Sequence, residues 1–250
     1  VSKPGLGGMM GRLFHIADIH GELKLLNKLL ETLHKDHALD LSKDKIIFTG
    51  DYCDRGPDTY GVIERLKKLN EAHPDNVICL AGNHEWINIL YFTRHLPDDV
   101  WLFDNNGGPQ TLQSYQMAGF SKMTHDHIQW LSNLPFKHEE PGFFFSHAPV
   151  PRENSRNIAN RGLEITPDEL IWGIWDGVGD EFNMARDHGN GIIGVCGHIH
   201  AIRKGQFYPR FYLHYIYGDC GAGCSPKAPL CAINVITREV IYAWPDQKVQ

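Results

Sequence analysis

Carboxylate, imidazole and amide side chains gather at five places in this chain: Asp18-Ile19-His20-Gly21, Gly50-Asp51-Tyr52-Cys53-Asp54-Arg55-Gly56, Gly82-Asn83-His84-Glu85, Ser146-His147 and Gly197-His198-Ile199-His200. A lone histidine of this kind is usually a satisfied surface or core residue. Five such groups in register are different, because carboxylates and imidazoles brought to one place repel or stay unsatisfied unless cations bind between them. A mixed set of carboxylate, imidazole and amide oxygen, without thiolate, suits Mn, Fe or Zn better than Ca or Mg, which prefer all-oxygen shells. The donors Asp18, His20, Asp51, Asn83, His147, His198 and His200 outnumber the ligands of one ion. A shared carboxylate would hold two divalent ions about 3.5 Å apart, the spacing of two-metal hydrolases.

Each group follows a run that reads as a strand. Residues 12–17 form the first, followed by a turn at 18–21 and a helix with Leu23, Leu26, Leu30 and Leu33 on one stripe, widened by Leu25 and Leu29. Residues 45–49 form the second, followed after Pro57 by a helix over 59–69 with Val62, Ile63, Leu66 and Leu69 inward. Residues 76–81 form the third, with helical pattern resuming near Glu85. Strand, loop and helix repeated in this way predict α/β layering with a mostly parallel sheet, whose strand ends converge on one crevice. Residues 96–140 read as short helices and loops, and strands resume at 142–146, 191–196, 211–217, 229–235 and 239–244, the last group antiparallel. The span 148–190, rich in Pro, Asn, Arg and Gly, reads as an excursion over the sheet with a helix near 168–174.

With 250 residues, 42% of them apolar and 22% charged, the chain suits one large globular domain, placed here at residues 11–250. The first ten residues, VSKPGLGGMM, read as a tail outside the fold. The net charge of −6 disfavours a module that works by broad phosphate neutralisation, so nucleic acid is an unfavoured partner, while a small phosphorylated substrate stays compatible. No uncharged apolar run approaches the roughly 18 residues of a membrane span. Six cysteines, without paired CxxC units or a visible secretory signal, read as reduced thiols of a cytoplasmic protein rather than a zinc site. Histidine is unusually frequent at 15, yet the count alone assigns nothing.

The motifs resemble the calcineurin-like metallophosphoesterases, and within them the phosphoprotein phosphatase group that includes bacterial and phage serine/threonine protein phosphatases. The matching pieces are DIHG at 18–21, GDYCDRG at 50–56, GNHE at 82–85, His147 after its strand, and GHIH at 197–200. The run from Asn106 to Tyr115 and the segment Gly218-Asp219-Cys220-Gly221-Ala222-Gly223 are also similar, so the match extends from Leu13 to Trp244. The resemblance implies a four-layer α/β/β/α sandwich with a dinuclear metal site at the strand C-terminal ends. It implies that Asp18, His20 and Asp51 bind one metal, and that Asp51 bridges to a second held by Asn83, His147 and His198. A metal-bridging hydroxide would then attack phosphorus in line, Arg55 would grip the phosphoryl oxygens, and His84, oriented by Asp54, would protonate the leaving oxygen. Outside their glycine frame, Asp54 and Arg55 would read as a solvated turn pair. Glu85 reads as a helix N-terminal carboxylate rather than a catalytic group.

Two departures bear on substrate. His200 stands where protein phosphatases of this group carry Pro; in the wider superfamily a histidine here binds the first metal, and period-two spacing would put it on the side of His198. A second phosphate-gripping arginine usually follows a Trp after the lone histidine, yet Leu170-Ile171-Trp172-Gly173-Ile174 has none. Arg152, Arg156, Arg161 and Arg186 are the alternatives, and the sequence does not choose among them. The expected activity is hydrolysis of phosphate esters, with phosphoserine and phosphothreonine of a phosphoprotein favoured. A dinucleoside polyphosphate, nucleotide or nucleic-acid end is the alternative at the same site. Oligomeric state is left open.

Overall fold

The computed structural model describes residues 11–93, 95–103, 106–150, 166–173, 191–200 and 206–246. The ten-residue tail and Arg152, Arg156, Arg161 and Arg186 lie outside them. Two five-stranded sheets form the frame. In the first, the strands β1 (Leu13–Ile16), β2 (Lys45–Phe48) and β3 (Val77–Cys79) run parallel, and β9 (Leu230–Asn234) and β10 (Val240–Ala243) add to the β1 edge antiparallel, giving the order β10-β9-β1-β2-β3. In the second, β5 (Phe143–Ser146), β6 (Ile193–Cys196) and β8 (Tyr215–Tyr217) are parallel. The antiparallel edges β4 (Lys137–Glu140) and β7 (Arg210–Phe211) complete the order β4-β5-β6-β8-β7.

Alternation along the strands sets the layers. Phe14 and Ile16 of β1, with Leu230 and Ala232 of β9, face a core shared with the helices α1 (Leu23–Lys35), α2 (Thr59–Ala72), α3 (Asn83–Phe92), α4 (Gly108–Met117) and α5 (His125–Ser132). Leu13 of β1, with Cys231 and Ile233 of β9, faces the other way and packs with Phe145, Val195 and Ile216 of the second sheet. On the outer side of that sheet, Leu170 of the short helix α6 (Pro167–Trp172) packs with Phe144 and Val150. Helices, sheet, sheet and helix make the expected four layers. A sheet covered on both faces explains why its strands read as continuous apolar runs.

Local chemistry explains the helices. Leu25, Leu26, Leu29, Leu30 and Leu33 of α1 are buried on one stripe. The Asp58 carboxylate accepts from Gly61 N at 2.8 Å and starts α2. Three details differ from the sequence reading. The single strand expected at 211–217 is a hairpin, turned where Tyr212 N donates to Tyr215 O at 2.8 Å. The late strands expected as one antiparallel group divide between the two sheets, with β8 parallel to β6. β4 has the polar sequence KHEE, alternately exposed and half-buried, and forms an edge strand where helix or loop was expected.

Candidate metal and catalytic site

The loops after β1, β2, β3, β5 and β6 meet at one end of the sandwich, and Asp51 sits at the centre of what they deliver. Its Oδ2 lies 3.5 Å from His20 Nε2, and its Oδ1 lies 3.3 Å from His147 Nε2. Around Oδ2 stand His20, Asp18, whose Oδ2 is 3.9 Å from His20 Nε2, and His84, whose Nε2 is 4.0 Å from Asp51. Around Oδ1 stand His147 and Asn83, whose Oδ1 is 2.8 Å from His147 Nε2 and 3.2 Å from His198 Nδ1. Two ligand groups therefore share one carboxylate. His20, Asp51 and His84 form one, Asp51, His147 and His198 the other, with the ligand atoms of each within 4.8 Å of one another.

The imidazoles are oriented as metal ligands require. His20 Nδ1 is 2.8 Å from Cys53 O and His147 Nδ1 is 2.8 Å from Thr49 O. Donating those N–H groups to carbonyls leaves each Nε2 as a lone pair facing Asp51. Burial lowers His20 well below the ordinary imidazole range, with His84 and Arg55 adding to the effect. Burial also lowers His198 to about 3, reinforced by His147. For Asp51, burial pushes the carboxyl well above the usual range, and the nearby Asp18 and Glu85 act in the same direction against His84. Neutral imidazoles and a carboxylate that needs positive charge to stay ionised are what divalent cations would bind, so the residues present fit a metal pair.

A second constellation lies alongside. His84, at the first turn of α3, places Nδ1 2.8 Å from Asp54 Oδ2, while its Nε2 faces the site, 3.1 Å from Arg55 Nη2. Arg55 Nη1 lies 2.7 Å from His20 Nε2 and donates to Cys224 Sγ at 3.0 Å. Burial works to lower the His84 pKa, but Asp51 and Asp54 outweigh it and raise the group above its ordinary value. An imidazole whose protonated form is favoured, a carboxylate behind it and a guanidinium fork beside it can donate a proton and bind an anion.

Backbone conformation marks the same residues. His20, Asp51, Asp54, Arg55 and His198 all have left-handed φ, between 44° and 72°. Among the described non-glycine residues, only Ala38 and Arg238 share that conformation. Strain of this sort costs on the order of 1–3 kcal/mol per residue and persists where surrounding structure enforces it. Glu85 does much of the enforcing. Fully buried, its carboxylate accepts from the backbone amides of Gly82 at 2.8 Å, Asp51 at 2.7 Å, Tyr52 at 2.8 Å and Cys53 at 3.2 Å. The expected helix N-terminal carboxylate is thus also a clamp on the loop that carries Asp51. Glu85→Gln would turn two of its acceptor directions into N–H groups facing N–H groups. It should destabilise the protein by ~3 kcal/mol, read by chemical denaturation, and weaken metal uptake in parallel.

Asp18, His20, Asp51, Asn83, His147 and His198 come together, as do Asp54, Arg55 and His84. His200 does not join them. It is exposed and belongs to neither ligand group, because His198 takes φ 64° and the segment is not the extended one on which same-side spacing depends. Asn88, Trp101 and Thr111 donate to the Asp54 carboxylate from elsewhere in the chain; Asn88 and Trp101 carry no sequence signal, and Thr111 lies in the matching 106–115 run without a role of its own there. Asp219, in the Gly218–Gly223 segment, is buried nearby; burial first, and then Asp18, raise its pKa well above the usual range.

Known proteins similar to this chain point to one family. A family model described as calcineurin-like phosphoesterase matches residues 11–201. The chain is 28% identical over 171 residues to serine/threonine-protein phosphatase 2 of Escherichia coli strain K12, covering 64% of this chain and 66% of that protein. It is 25% identical over 142 residues to the symmetrical bis(5'-nucleosyl)-tetraphosphatase of Methylococcus capsulatus, covering 56% of this chain and 43% of that one. The chain thus spans less than two thirds of the length of the curated relatives it matches. Among solved structures, a metallophosphoesterase from Sphaerobacter thermophilus superposes with a TM-score of 0.56 at 18% identity, over 95% of this chain and 89% of that one.

Proposed function

The chain belongs to the calcineurin-like phosphoesterase family, and on that premise we propose that it is a two-metal phosphomonoesterase acting on phosphoserine and phosphothreonine in proteins. The observation that carries this reading is the division of labour at Asp51. One carboxylate faces two imidazole groups, and the Asp54–His84 pair with Arg55 lies on the flank of the first. Asp18, His20 and Asp51 would hold one cation and Asp51, Asn83, His147 and His198 the other, with Mn the favoured metal and Fe or Zn the alternatives. When bound, the cations supply a nucleophilic hydroxide at neutral pH and neutralise charge building on the phosphoryl oxygens.

The protein's own groups do the rest. The Arg55 fork binds two phosphoryl oxygens and fixes the ester in line with the attacking side. When protonated, His84 presents Nε2–H to the leaving oxygen, while Asp54 accepts from Nδ1–H and stabilises the imidazolium. A monoester with an alkoxide leaving group needs this proton most, which favours phosphoserine and phosphothreonine. No described helix is long and apolar enough to cross a membrane. The free cysteines support a reducing compartment, and the cytoplasm is part of the proposal.

The relative named as a tetraphosphatase gives the second reading, a dinucleoside polyphosphate at the same site. The two readings separate on a panel: a phosphoserine peptide, diadenosine tetraphosphate and bis-p-nitrophenyl phosphate, each with Mn-loaded protein. The phosphopeptide is expected to show the highest kcat/KM and the diester the lowest. Preference for the dinucleotide would install the second reading, and no turnover of p-nitrophenyl phosphate with any divalent metal would sink both.

A further inference from the structure

The carboxylate behind His84 is dressed more heavily than a simple orienting group requires. Besides His84 Nδ1, Asp54 accepts from Asn88 Nδ2 at 2.9 Å, Thr111 Oγ1 at 2.7 Å and Trp101 Nε1, which lies 3.1 Å from Oδ1 and 3.2 Å from Oδ2. A carboxylate has about four lone-pair directions, so Asp54 is saturated. Asn88 is on α3 with His84, and Thr111 is on α4. Trp101 comes from neither: it sits in a short π-helical turn, Asp99–Phe103, a conformation rare in proteins and concentrated at functional sites.

That turn packs between α3, which carries His84, and the start of α4, beside a cavity at Arg55. The Trp101 ring is fully buried and packs on α3, 4.2 Å from the Tyr91 ring centroid and 5.3 Å from that of Phe92. Gly108 lets the indole lie against the start of α4, since a Cβ there would come within 2.6 Å of it. Gly107, at φ 91°, does the same for Arg55, whose backbone nitrogen would be 2.1 Å from a Cβ. The next residue in the turn, Leu102, lines a cavity of about 450 Å³ beside Arg55, together with Pro109, Gln110 and Cys224. The indole N–H thus reaches the carboxylate from a turn that also borders the approach to Arg55.

We propose that Trp101 is a positioning residue for proton donation, its N–H fixing the Asp54 carboxylate so that His84 Nε2 is aimed at the leaving oxygen. The proposal rests on the reading of His84 as the general acid. Asp54 turns about its own side-chain axis unless both oxygens are held. His84 and Asn88 hold chiefly Oδ2, Thr111 holds Oδ1, and the indole bridges the two. Without the bridge Oδ1 keeps only the rotatable Thr111 hydroxyl, so the plane of the carboxylate, and the imidazole with it, is held less firmly. The loss should therefore be felt where proton donation matters and not in substrate binding.

Trp101→Phe keeps an aromatic ring and removes the donor. In Mn-loaded protein, kcat on phenyl phosphate, a poor leaving group, is expected to fall ~10-fold and kcat on p-nitrophenyl phosphate less than about two-fold, with KM and metal content unchanged. Replacing Trp101 with 3-benzothienylalanine removes the N–H at nearly constant shape and should give the same split; it decides the matter if Trp101→Phe does not fold by circular dichroism. Equal losses on the two substrates, or no loss on either, would overturn the positioning role. The general-acid reading fails separately, if His84→Ala shows no dependence on the leaving group.

Discussion

Asp51→Asn is expected to release both metals and lower turnover at least ~10³-fold, on activated and poor leaving groups alike. Asp51 is the one carboxylate common to the two ligand groups, with Oδ2 toward His20 and Oδ1 toward His147. Asparagine offers one neutral oxygen and one N–H, so whichever way the amide turns, one cation meets a donor instead of an acceptor. Every factor of ten in rate is about 1.4 kcal/mol of transition-state stabilisation, and loss of the bridge removes both the nucleophile's activation and the charge neutralisation at phosphorus. Elemental analysis should show metal per chain falling from near two to well under one.

The same substitution makes an opposite prediction for stability. Burial makes an ionised carboxylate at this position costly in the absence of a cation, whereas a neutral amide avoids that cost. Metal-free Asp51→Asn should therefore melt at or above the metal-free wild type. Added Mn at about 100 times its dissociation constant should stabilise the wild type by ~2.7 kcal/mol and leave the variant unmoved. A variant that takes up two metals, or one that unfolds, would contradict the bridging role.

Most of the site was legible because each ligand sits within a few residues of a strand end, where apolar run and polar group are adjacent in sequence. Asp18, Asp51, Asn83, His147 and His198 were found that way, and the fold that gathers them follows from parallel strands ending on one side. What escaped lacks local signal. Two donors to Asp54, Asn88 and Trp101, come from 34 and 47 residues away with no motif around them, and Thr111, 57 residues away, lies in a matching run that does not reveal its partner. His200 is exposed, and the left-handed φ at His198 breaks the extended run that same-side spacing assumes. β4 escaped because an edge strand needs no apolar face, and its Lys-His-Glu-Glu run pairs through backbone alone.

The histidine count shows the same division. His127 is buried between Tyr115 Oη at 2.6 Å and Glu64 Oε1 at 2.9 Å, and Lys68 pairs with the same Glu64, so this carboxylate already has its partners. His15 is fully buried in β1, with Nε2 2.9 Å from Thr49 Oγ1. Burial pushes it down to about 3, a neutral ring wedged between the sheets. Neither has a motif around it, and their roles are visible only once distant segments have met.

His84→Ala should separate proton donation from metal binding, the two roles its position permits. Its Nε2 lies within the ligand group of His20 and Asp51, so geometry alone would allow it to hold a cation. Burial lowers the His84 pKa, but Asp51 and Asp54 outweigh that and raise it, which favours the proton-donating form over a bare Nε2. A protonated imidazole repels a cation and donates to an oxygen. Removing a general acid costs about 10²–10⁴ in rate when the departing oxygen is strongly basic, as in a phosphoserine peptide, and little when it is p-nitrophenolate, which leaves without a proton. The expected result is therefore a kcat lowered ~10³-fold on the peptide and less than about ten-fold on p-nitrophenyl phosphate, with two metals still bound. Equal losses together with metal release would make His84 a ligand, and the proton would then have to come from elsewhere in the site.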